Sequence, residues 1–95
     1  MKPTLLLSTP EKVGVSVQLE IARLIADLGC KPSEINNGNC DVFADALYAV
    51  VGGELLEFDL DSSYPTHVWV RHNGRHYDAE CVDGVEDWRD LPIFA

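Results

Sequence analysis

The apolar positions change period along the chain. Val17, Ile21, Leu24, Ile25 and Leu28 recur at helical spacing within the segment from about Gly14 to Leu28. Gly29 follows, where a C-terminal glycine cap belongs. Phe43, Leu47, Val50 and Val51 mark a second helical face from about Cys40 to Val51, with Ala44 and Ala46 as small fillers and Gly52-Gly53 as the stop. Beyond it the spacing changes. Leu55 to Leu60 predicts a strand, edge-like because of Glu57 and Asp59, and Asp61-Ser62-Ser63-Tyr64-Pro65 predicts a turn. Met1 to Lys12 reads as an extended arm, with turn or helix-start chemistry at Ser8-Thr9-Pro10-Glu11, and Cys30 to Asn39 reads as a loop. Asp83 to Pro92 suggests a short helical turn that packs Trp88 and Leu91. The order helix, helix, strand, hairpin predicts one α+β domain over residues 1–95, with two helices packed on a small antiparallel sheet.

The hairpin is the sharpest expectation. Asn73-Gly74 suits a type I′ turn, which needs positive φ at both central residues. That turn sets the register: His72 opposite Arg75, Arg71 opposite His76, Val70 opposite Tyr77, Trp69 opposite Asp78, Val68 opposite Ala79 and His67 opposite Glu80. His67, Trp69, Arg71, His76, Asp78 and Glu80 then share one face. Val68, Val70, His72, Arg75, Tyr77 and Ala79 share the other. A histidine is set opposite one carboxylate and diagonal to another, as an imidazole is oriented for acid–base work.

Nearly half the residues are apolar, which predicts a folded globule. No apolar run approaches the ~20 residues of a membrane span, and Leu5-Leu6-Leu7 is shorter than the roughly 7–15 residues of a signal-peptide core. No membrane association and a cytoplasmic location are therefore expected. Three cysteines, Cys30, Cys40 and Cys81, are an odd count without close pairing, which favours reduced thiols over a disulfide framework. The net charge is −9, and residues 54–95 hold ten carboxylates against three arginines. That balance argues against direct nucleic-acid binding; it suits solubility, a basic protein partner, or mimicry of nucleic acid.

Cys40 falls at the predicted start of the second helix, after Asn36-Asn37-Gly38-Asn39. A helix N-terminus offers unsatisfied N–H groups and a positive partial charge, which favour a thiolate. Asn39 is the expected N-cap. A cysteine there, a later histidine on a strand and a carboxylate on the paired strand form the set a cysteine nucleophile needs: His67 takes the thiol proton, and Asp78 or Glu80 orients the ring. The Cys40 N–H then holds an oxyanion, assisted by an asparagine among residues 36–39, Asn37 and Asn39 included. Asp41, Asp45 and the negative field oppose the thiolate, so activation rests on a close imidazolium. Trp69, on the His67 face, shields the site, lines an acyl groove or simply packs in the core. His72 and His76 fall on opposite faces and are expected to be exposed. Cys81 belongs to the His72 face, and no metal-ligand spacing occurs, so no metal or other cofactor is expected.

Asn37-Gly38-Asn39-Cys40-Asp41-Val42-Phe43-Ala44 resembles the glycine-x-cysteine helix start of transglutaminase-like proteins, where an aromatic and an alanine follow the cysteine at three and four positions. His67-Val68-Trp69-Val70 resembles their histidine strand, and Gly74-Arg75-His76-Tyr77-Asp78 the strand that ends in the triad aspartate. The order Cys, His, Asp matches this branch of the papain-like cysteine peptidases. The likeness spans roughly residues 37–80. It implies a minimal papain-like core with Cys40 as nucleophile, His67 as base and Asp78 as orienting acid. It also implies thioester chemistry on an amide or peptide bond of a protein or peptide substrate, by hydrolysis or acyl transfer. The chain departs from that pattern in its shortness, in the lack of a clear oxyanion glutamine, and in the register that sets Glu80 across from His67. An inactive, acidic interaction module on the same fold, an inhibitor or adaptor, is the alternative. Small domains of this kind also occur in phage and mobile elements, which a compact acidic chain suits.

Overall fold

A computed structural model describes residues 2–59 and 66–94. The turn expected over 61–65 and the end of the strand expected to reach residue 60 lie outside the described residues. Strands β1 (Thr4–Thr9), β2 (Gly53–Phe58), β3 (His67–His72), β4 (Arg75–Asp78) and β5 (Cys81–Val85) form one antiparallel sheet whose order follows the chain. Helices α1 (Val17–Leu28), α2 (Pro32–Asn36) and α3 (Cys40–Val51) separate β1 from β2. The molecule is an α+β fold, with helices packed against the five-stranded sheet. No described helix is long and apolar enough to cross a membrane.

The helix boundaries follow from capping chemistry. The Ser16 hydroxyl accepts the Leu19 N–H at 3.3 Å, so α1 starts at Val17, three residues later than the apolar pattern suggests. Gly29, at φ +67°, closes it. The loop expected over Cys30–Asn39 contains α2, started by Pro32 and by the Glu34 carboxylate accepting the Lys31 N–H at 3.0 Å. Helix α3 runs from Cys40 to Val51 as expected. The extended arm is an edge strand, bulged at Leu6, with every side chain exposed.

Both faces of the sheet are covered at its centre, while β1 stays exposed. Val17, Ile21, Ile35, Phe43, Leu47 and Val51 pack with Leu55, Val68, Val70 and Tyr77 on the helix side. On the other face Leu56, Trp69 and Leu91 are buried, with Phe58, Trp88 and Phe94 against them. Trp88–Asp90 is a 3₁₀ turn begun by Asp87, and a further turn brings the Phe94 N–H to the Leu91 carbonyl. Residues 88, 91 and 94 thus stand three apart, the spacing that eclipses side chains along a 3₁₀ path into one ridge.

Asn73 (φ +50°) and Gly74 (φ +78°) make the expected turn, and the first three pairs follow the predicted register. The β3–β4 ladder then stops at Val70 and Tyr77. Ala79 and Glu80 leave the strand to form the turn into β5, held by the Glu80 N–H on Asp78 Oδ1 at 2.9 Å. The pairs expected beyond Tyr77 are therefore absent from the ladder, and β5 appears where only a tail was expected. Asp83-Gly84 hid that strand, since both residue types are depleted in strands. Cys81 packs with the Trp69 cluster rather than on the His72 face, because the turn at Ala79-Glu80 pairs it with Asp78, and paired residues share a face.

Candidate active site

Helix α3 presents Cys40 at its first turn, strand β3 begins with His67 and strand β4 ends with Asp78. His67 Nε2 lies 3.0 Å from Asp78 Oδ2, and both side chains are buried. Asp78 Oδ1 is held by the Glu80 N–H, so each oxygen of the carboxylate has a fixed partner. Of the two carboxylates that could face His67, Asp78 does so. The turn carries Glu80 away, and its Oε1 accepts from Asn36 Nδ2 at 2.9 Å.

The other ring nitrogen, His67 Nδ1, is buried without a hydrogen-bond partner. The Cys40 thiol donates to the Thr66 carbonyl at 3.5 Å, one residue before His67. Burial pushes the thiol pKa up, but contact with His67, the Val68 backbone amide and the imidazolium charge together bring it below the ordinary thiol value, with Asp41 opposing. Burial also disfavours charge on His67. The hydrogen bond the ring gives Asp78, the closeness of the Cys40 sulfur and the negative charge of both groups outweigh it and raise the ring to about 9. The thiol thus lies beside the ring while its hydrogen bond points at the Thr66 carbonyl.

Aromatic rings wall the imidazole. Trp69 stacks on it at 5.7 Å between centroids, tilted by 20°, and Phe94 meets it edge-on at 5.5 Å. Trp69 is fully buried and gives its indole N–H to His76 Nδ1 at 2.9 Å, so it shields the ring and does not line an open groove. Sequence reasoning missed Phe94; the three-residue spacing of Trp88, Leu91 and Phe94 was the available signal.

Asn37 and Asn39 are exposed and make no side-chain hydrogen bond to the described residues. Asn39 occupies the N-cap position without capping through its side chain, so neither asparagine is organised as an oxyanion donor. Asn36 is buried, but its Nδ2 is committed to Glu80. His72 and His76 are buried, against expectation. Polar alternation marks the wet face only when one face of a sheet is wet, and here both are covered. The three thiols are free, and no group of three or more His, Cys, Asp or Glu side chains that could hold a metal ion occurs among the described residues. Compared with protein-family models, curated proteins and solved structures, the chain gives no significant match.

Proposed function

We propose that the chain is a small cysteine-dependent hydrolase or acyltransferase on a minimal papain-like, transglutaminase-like core, acting on an amide or peptide bond of a protein or peptide. The observation that carries this reading is the buried imidazole, anchored through Nε2 to Asp78 and left unpartnered at Nδ1 beside Cys40. Asp78 fixes the ring orientation and supports its positive charge. With its proton already held on His67 Nδ1, Cys40 Sγ attacks the carbonyl carbon as a thiolate. The oxyanion meets the Cys40 N–H, which precedes the first bond into the helix, Phe43 N–H to the Asn39 carbonyl at 3.0 Å. Collapse breaks the C–N bond, and His67 gives its proton to the departing amine. Water or a second amine then cleaves the thioester, with His67 again as base.

The same burial favours a second reading: Cys40 is only 7% exposed, which suits a domain that keeps the fold without turnover and uses its acidic surface to hold a basic partner. The pH dependence of iodoacetamide labelling, read for each cysteine by peptide mass spectrometry, separates the two. The enzyme reading expects Cys40 to react with a midpoint below that of an ordinary thiol, and expects His67→Ala to abolish the depression. A Cys40 that stays unreactive up to the ordinary thiol range overturns it.

A further inference from the structure

The reacting groups of this site come from chain segments far apart: Cys40 from the helix layer, His67 and Asp78 from the sheet. One side-chain hydrogen bond joins the approach to Cys40 with the turn behind Asp78. It runs from Asn36 Nδ2 to Glu80 Oε1, at 2.9 Å and across 44 residues. Asn36 is the last residue of α2, four positions before Cys40; the intervening backbone is tied back by the Asn39 N–H on the Ile35 carbonyl at 2.8 Å. Glu80 in turn holds Asp78 through its own backbone N–H at 2.9 Å. The contacts form one chain of connection: Asn36, Glu80, Asp78, His67.

We infer that Asn36 and Glu80 are positioning residues, a brace that keeps the Cys40 loop and the Asp78 turn in register so that thiol and imidazole meet. The inference rests on the cysteine–histidine reading of the site. Asn36 is a poor choice for stability alone: its Oδ1 is buried without a partner, a cost that an apolar side chain beside Ile35 would avoid. Its amide is oriented by Glu80, which exchanges that cost for a fixed link between the two halves of the site. Glu80 does not touch the ring. It acts on the turn that supplies the carboxylate which does.

The test is the pH profile of Cys40 labelling by iodoacetamide in the full chain, read residue by residue and alongside thermal unfolding. Asn36→Ala and Glu80→Ala are each expected to raise the Cys40 midpoint by roughly half to one pH unit, slowing labelling about threefold to tenfold at neutral pH. Glu80→Gln keeps the accepting oxygen and is expected to restore the wild-type midpoint. The double alanine variant is expected to shift no further than either single one, because both remove the same bond. A purely structural role lowers the unfolding temperature and leaves the midpoint in place; that result overturns the brace. An ordinary midpoint in the wild-type chain overturns the site reading and the brace with it, whereas a depressed wild-type midpoint that no variant moves overturns the brace alone.

Discussion

Asp78 Oδ2 stands 3.0 Å from His67 Nε2, although the turn-set register would place Glu80, not Asp78, opposite that histidine. The bond holds a proton on the ring in the folded state that the unfolded chain releases. A folded pKa of about 9 against an ordinary 6.5 means the stabilisation is complete below pH 6.5 and is lost as pH rises through 9. The ceiling on that loss is about 3 kcal/mol. Urea unfolding is expected to show stability falling with pH across this window in the wild-type chain, and to show a smaller fall of the same sign in a Cys40→Ala background, which removes both the thiol's titration and its share of the raised pKa. Asp78→Asn is expected to flatten the slope. A slope unchanged by Asp78→Asn contradicts the assignment of the raised pKa to this contact.

The departure of Glu80 shows where sequence patterning stops. The Asn73-Gly74 turn chemistry is local, so it fixed the three pairs nearest the turn correctly. The helix α3 boundaries are likewise local, written in apolar spacing and in the Gly52-Gly53 stop. What ends the ladder is a second turn at Ala79-Glu80, stabilised by the Asp78 side chain and by a strand that Asp83-Gly84 disguised. Asn36 meets Glu80 across 44 residues, a contact no periodicity encodes. The buried histidines follow the same logic: His76 reads as polar surface until the ridge of Trp88, Leu91 and Phe94 covers that face of the sheet.

Two glycines with positive φ are expected to respond differently to alanine. At Gly74 a Cβ meets nothing within 4 Å, so Gly74→Ala carries only the backbone penalty of about 1–2 kcal/mol. At Gly53, φ +93°, a Cβ collides with the Arg71 backbone carbonyl on the neighbouring strand. Gly53→Ala must therefore displace the β2–β3 ladder and is expected to cost clearly more than Gly74→Ala. Chemical denaturation of the two variants side by side checks the ranking; equal losses would mean that the ladder yields without cost.

Leu5, Leu6 and Leu7 are 51%, 41% and 55% exposed on the β1 edge, without a charged residue between Thr4 and Thr9. The Leu6 bulge is the only device against edge pairing within that strand. The opposite edge, β5, carries the exposed Asp83. Leu7→Lys is expected to change unfolding free energy by no more than about 0.5 kcal/mol, since the side chain already lies in water. It is expected to suppress self-association at high concentration. Sedimentation velocity over a concentration series checks this; identical profiles for wild type and variant would show that the edge is inert.

Trp69 couples the imidazole wall to a second buried histidine. Its indole N–H donates to His76 Nδ1 at 2.9 Å, a bond that requires the neutral ring. Burial, reinforced by Arg71 and opposed by Asp87 and Glu54, holds the His76 pKa below the ordinary histidine value. The associated stability is present above pH 6.5 and is lost as pH falls through the depressed pKa. Trp69→Phe keeps an aromatic ring against His67 but leaves His76 Nδ1 an unpaired buried acceptor, for an expected loss of about 1–3 kcal/mol at neutral pH. Adding His76→Leu removes the stranded acceptor, so the double variant is expected to lose less than the sum of the two single ones. The double variant is also expected to lack the part of the acid-side decline that His76 contributes. Unfolding measured at neutral pH and below pH 6.5 for all four proteins tests both points; strictly additive losses with an unchanged acid slope would show that the Trp69–His76 bond contributes packing alone.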